Sequence, residues 1–214
     1  MNEKHRVKLA TTAILDRVYQ RLIEGEKPRA DGFFDSSQRQ GGDRSPAEEL
    51  FEGSLLKCKN EFQEKKIPFM ANIFAEVAFR DDVSTALAHQ VYVIADRMTY
   101  RQLLIVATVH RKEEIAFDTT KWNTSFTMCF IPGRSRAHVM TDELAGFMRE
   151  LYALSRTGED LLSYDRTSTV HHGSEQGVLT MLGRLVYELM RLDQIDVAEL
   201  VSLKDEFVRI TGIP

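Results

Sequence analysis

The run Leu103 to Val109, "LLIVATV", carries no charge, and its one polar group is the hydroxyl of Thr108. A helix without a polar face must be surrounded by other protein. The run is also far too short to cross a bilayer, which takes about twenty apolar residues. The chain around it therefore has to supply several further apolar faces. Thr99 is placed to cap this helix, with Gln102 three residues on, and the segment turns abruptly charged at His110 to Glu114. It is expected to be the most buried helix of the fold. The Tyr100-Arg101 pair at its start is expected to join a polar network with Asp96 or Asp16.

The remaining faces come from amphipathic helices. Residues 3–24 place Val7, Thr11, Ile14, Val18 and Leu22 at three-to-four spacing among charged residues, which predicts a long helix docked on the domain, with pairing between two copies as the rival use. Residues 25–45 are rich in Gly and Pro and read as a linker or mobile loop, in which Phe33-Phe34 is an apolar anchor. "SPAEELFEGSLLKCKNEFQEKK" then starts a helix with Ser45 as N-cap, Pro46 in the first turn and Glu48 completing a capping box. Pro68 marks the next start, with Phe69, Ile73, Phe74, Val77 and Ala78 on one face. A further helix carries Val83, Leu87, Val91, Ile94 and Met98.

The helical pattern breaks over residues 115–140. Phe126 to Ile131 reads as a short strand ended by Pro132-Gly133, followed by the basic cluster Arg134, Arg136 and His138. "TDELAGFMRELYALSRTG" restores a helix between Thr141 and Gly158. Leu161 to Val170 reads as two short strands about a turn. "EQGVLTMLGRLVYELMRLDQID" and "VAELVSLKDEFVRIT" are the last two predicted helices.

Composition narrows the function classes. Of 214 residues 43% are hydrophobic and 28% charged, which suits a chain that buries a core. The formal net charge of −4 provides no global basic field for nucleic acid or anionic membrane. The N-terminus carries charge from its first residues and lacks an apolar leader. Cys58 and Cys129 have no metal-site spacing, so reduced thiols in a cytoplasm are expected, with no membrane partner. No GxSxG, HExxH, Walker or GxGxxG motif occurs, and no cofactor or metal is implied.

From Met98 onward the order of elements resembles winged-helix domains of bacterial regulators of the multiple-antibiotic-resistance type. "MTYRQLLIV" is similar to their "LT..Q..iL" opening. "MRELYALSRTGEDLL" resembles the helix with an "L..L...Gli" ending, and "VLTMLGRLVYELM" resembles the helix after the wing. The same strings resemble an uncharacterised bacterial family with "LTYRQL" and "LTPLG"-like motifs. The resemblance covers residues 98–192. It implies a wing hairpin and a helix able to enter the major groove. Two departures stand out: residues 113–140 are longer than the pattern, and the groove helix offers only Arg149 and Arg156 against Asp142, Glu143 and Glu150.

The adjacent histidines of "STVHHGSEQG" lie at or just after the expected wing. On a strand His171 and His172 point to opposite sides, so they cannot easily share one metal. An exposed hairpin tip is the reading preferred over a site, which would need His110, His138 or a carboxylate besides. "CFIPGRSRAH" is read as a solvated basic loop before a helix in preference to a phosphate-binding turn, and Trp122 as either a binding anchor or a core cap.

The expected architecture is mainly α-helical. A helical N-terminal region (1–97, with a mobile loop at 25–45) packs on a winged-helix-like C-terminal region (98–214) with a small β-hairpin. The leading expectation for function is a non-enzymatic binding protein, with a protein partner or self-association favoured. The first rival is a DNA-binding regulator using Arg134, Arg136, Arg149, Arg156, Arg166, His171 and His172. The second is a hydrolase or nuclease using His171 or His172 with a carboxylate.

Overall fold

The computed structural model describes residues 2–35, 44–119, 142–156, 161–165 and 176–211. It divides into two compact units, Met1–Tyr100 with Glu188–Arg191, and Arg101–Tyr187 with Leu192–Pro214.

In the first unit Asn2 caps helix α1 (Glu3–Ile23) by accepting from the Lys4 N–H at 3.0 Å. The helix ends where Gly25 adopts φ +83°, a left-handed conformation that suits glycine. Ala10, Ile14 and Arg21 form its buried side, against α2 (Pro46–Asn60) and α3 (Ile67–Val77). The docked helix expected from sequence is therefore present, but its inner line differs. Leu22, grouped with Val7 and Ile14 by spacing, is 48% exposed.

Helix α2 begins with the expected capping box: Ser45 Oγ accepts from the Glu48 N–H (3.2 Å), and the Glu48 carboxylate accepts from the Ser45 N–H (2.7 Å). Ahead of it Phe33 is buried, packed edge-on to Phe34 (5.0 Å) and tilted against Phe74 (6.5 Å). Its carbonyl accepts from the Ala47 N–H at 2.9 Å, so the anchor expected within the loop holds through Phe33. Helix α3 buries nine of its eleven residues, against seven of eleven for α5 (Tyr100–His110). Among the described residues the most enclosed helix is thus α3 rather than α5. Two of its polar residues, Asn72 and Glu76, can be buried because they have partners. Helix α4 (Thr85–Arg97), capped by Ser84, completes the unit.

In the second unit most of α5 is followed by α6 (Asp142–Arg156), strands β1 (Leu162–Asp165) and β2 (Gln176–Leu179), α7 (Met181–Leu189) and α8 (Val197–Thr211). The strands pair antiparallel with Leu162 opposite Leu179 and Asp165 opposite Gln176. Two expectations shift here. The second strand lies at 176–179 rather than before Val170, and α7 starts at Met181, not near Glu175. Thr180 explains the second shift: its Oγ1 accepts from the Gly183 N–H at 3.0 Å, capping the helix one residue after the strand.

Phe147 and Phe117 both pack on Phe207 of α8, at 5.4 and 5.8 Å, and form the aromatic part of this core. The expected strand at Phe126 to Ile131, Trp122 and Cys129 lie outside the described residues.

Candidate docking face

Helix α1 has two chemically different long sides. On the inner side Arg17 and Arg21 extend the line of Ala10 and Ile14, and both point at Glu76 of α3. Arg17 Nε donates to Glu76 Oε1 at 2.5 Å, and Arg21 Nη1 donates to Oε2. Arg191 adds a longer contact at 3.4 Å, and Arg21 also donates to Glu26. The Arg21 guanidinium lies 5.0 Å from the Phe79 ring centroid. A carboxylate that accepts from three arginines can be buried, because its polar atoms are paired and hydrogen-bonded. Its place in the fold is a clamp between α1 and α3.

A second buried pair closes the far end of the same unit. Lys66 Nζ donates to Glu61 Oε2 at 2.5 Å and to the Asp96 carbonyl at 3.1 Å, while Glu61 Oε1 accepts from the Gln63 N–H at 2.8 Å. Nearby Cys58 is fully buried, and burial pushes its thiol up to about 12 from an ordinary value of 9.0. This is an inert thiol, since the thiolate is the reactive form.

The outer side of α1 is a different kind of surface. Leu15, Tyr19, Leu22 and Ile23 recur at intervals that place them on one helical face, and they are 61%, 66%, 48% and 65% exposed. At about 150–200 Å² per whole side chain this leaves roughly 400 Å² of apolar surface in one stripe. Patches of that size on a monomer are commonly functional. Toward the N-terminus the same face continues as exposed Lys4, Lys8 and Thr12.

Two of the residues expected to contact nucleic acid lie on α6. Arg149 is exposed on α6, and Arg156 ends that helix. Arg134, Arg136, Arg166, His171 and His172 lie outside the described residues, as does His138. His110 ends α5, and its ring stacks on Tyr187 at 3.9 Å. Arg101 of the "TYRQ" segment lies 2.8 Å from Glu150 and 3.0 Å from Glu206, not at Asp96 or Asp16. Asp96 instead pairs with Lys57. Among the described residues no group of three or more His, Cys, Asp or Glu is placed to hold a metal ion. A cavity of about 350 Å³ lies along the turn after α5, lined by Lys112, Glu113, Ala116, Phe117, Asp118 and Thr119. Among the described residues no helix is long and apolar enough to cross a membrane.

Sequence reasoning named Ile14 and Leu22 together and so missed the division of α1 into two faces. The signal was present in the spacing: Ala10, Ile14, Arg17 and Arg21 form one line, while Leu15, Tyr19 and Leu22 form another. No family model, no curated protein and no solved structure matches the chain.

Proposed function

We propose that this chain is a non-enzymatic binding protein of the cytoplasm, and that it docks a protein partner on the outer face of α1. The observation that carries this reading is the solvent-facing stripe Leu15–Tyr19–Leu22–Ile23 on a helix whose opposite side is already fixed to α2 and α3. A helix that needed only to dock on its own domain would carry polar residues there. The stripe sits on a rigid element, so a partner meets a preformed surface and orders little on binding.

The test is a photo-crosslinking amino acid placed at Tyr19, with Gln90 on the exposed side of α4 as the control position. Irradiation in cells is expected to give adducts from position 19 and none from position 90, and Leu22→Glu should remove them. Silence at position 19 would end this reading.

The second reading is a winged-helix-like DNA-binding regulator. It is supported by the order α6, β1, β2, α7 and by exposed Arg149 on α6. It predicts that a labelled duplex binds with steep salt dependence and that Arg149→Ala lowers that slope by about one. A duplex left unbound at low salt removes it.

A further inference from the structure

We infer that the occupant of this face is a second copy of the same chain, with the two α1 helices lying antiparallel about a twofold axis beside Tyr19. The inference rests on the docking-face reading and adds the partner's identity.

Three features of the face favour it. Two of its members, Leu15 and Ile23, are symmetric about Tyr19 along the helix, while Leu22 would meet Asp16. Leu15 and Ile23 lie four residues to either side, about 6 Å at 1.5 Å per residue. An antiparallel twofold therefore sets Leu15 of each copy opposite Ile23 of the other and Tyr19 on Tyr19, an isologous contact in which one patch complements itself.

The charges also sort by direction. Lys8 is eleven residues from Tyr19, about 16 Å, whereas the helix ends at Ile23 about 6 Å from it. In the antiparallel pair Lys8 thus passes beyond the last turn of the other α1, over the exposed turn containing Glu24 and Glu26 and the negative end of that helix. A parallel pair would instead bring Lys4 and Lys8 onto their own copies.

The area places the contact among small, reversible ones. Two stripes of roughly 400 Å² give about 800 Å², and the flanking Lys8, Thr12 and Asp16 bring the contact toward the lower edge of specific interfaces, about 1,200 Å² in total. A contact of that size suits a reversible dimer rather than an obligate one.

Sedimentation velocity on the full chain from about 1 to about 200 µM tests this. The weight-average mass is expected to climb from one chain toward two. Tyr19→Glu should hold the mass at one chain throughout, with unchanged circular dichroism showing that the fold is intact. Lys8→Glu should weaken the dimer about fivefold, and Lys8→Glu combined with Glu24→Lys should recover it, since the new charges again attract across an antiparallel pair. A wild type that stays monomeric at the top concentration, or a dimer that survives Tyr19→Glu, overturns the inference. A dimer indifferent to Lys8→Glu overturns its antiparallel arrangement. If the wild type is monomeric while position 19 still crosslinks other proteins, self-pairing is wrong and the docking reading stands; if position 19 crosslinks nothing, both fall.

Discussion

The two units hold their interiors together in different ways. The first buries ion pairs: Glu76 among Arg17, Arg21 and Arg191, and Lys66 against Glu61. The second leaves its Arg101 pairs with Glu150 and Glu206 half-buried and aims further cations at backbone carbonyls that helices and turns leave over. Arg111 Nη1 donates to the Ile195 carbonyl at 2.6 Å and to that of Asp193 at 3.3 Å. Lys204 Nζ donates to the carbonyls of Ile115 (3.0 Å) and Ala116 (3.3 Å), where Ala116 has φ 48°. A buried ion pair fails badly when one member is lost, because the other charge remains without compensation. A cation resting on carbonyls near the surface fails mildly, since water can replace it. The first unit is therefore the more brittle of the two toward single charge deletions.

The sharpest way to break this comparison is Glu76→Ala. It should cost about 3–5 kcal/mol in denaturant unfolding, because the arginines converging on Glu76 lose their shared carboxylate. A loss below about 1 kcal/mol would show that these arginines reach water, and the contrast between the units would collapse. In the second unit the largest effect should come from packing. A Cβ at Gly183 would lie 2.1 Å from the Leu161 carbonyl oxygen, which is backbone and cannot move aside. Gly183→Ala should thus cost about 2–3 kcal/mol by thermal unfolding, through displacement of α7 from β1. Arg111→Met, the counterpart of Glu76→Ala, should cost only about 1–2 kcal/mol by the same measurement.

The Cys58 thiol tests how dry the first unit is. Its folded value is raised, so its contribution is intact at neutral pH. That contribution is lost as pH climbs above the unfolded value near 9.0 toward about 12, where the unfolded thiol ionises and the buried one does not. At pH 10 the loss is about 1 kcal/mol, seen as a steeper fall in Tm for wild type than for Cys58→Ala. Ser45→Ala should be the smallest change, about 1 kcal/mol or less, removing one half of the α2 capping box.

How much of this was legible in the sequence follows from how local each cause is. The α2 start was readable because Ser45, Pro46 and Glu48 satisfy one another within four residues. The start of α7 was not, since "QGVLT" carries apolar residues that suit a strand or a helix equally, and pairing with residues 162–165 decides between them. The burial of Glu76 was hidden for a similar reason. Its arginine partners lie 59, 55 and 115 residues away, and nothing near Glu76 announces them. The outer stripe of α1 was half legible. The apolar residues are evident, but which of two lines faces inward is settled only by the helices that cover the other. Of the basic residues named from the regulator resemblance, only Arg149 has a described side chain.

The return of residues 188–191 to the first unit has a consequence for the order in which that unit can be completed. Asn72 Nδ2 donates to the Met190 carbonyl at 3.4 Å, Arg80 pairs with Glu188 at 2.7 Å, and Arg191 approaches Glu76. A ribosome that has made Tyr100 must still add nearly ninety residues before these groups exist, about 5–20 s at usual elongation speeds. During that interval the nascent first unit has two arginines at Glu76 instead of three, and Asn72 lacks the Met190 carbonyl. A chain stopped short of Glu188 would be left permanently in that unfinished condition, a ready substrate for chaperones and proteases.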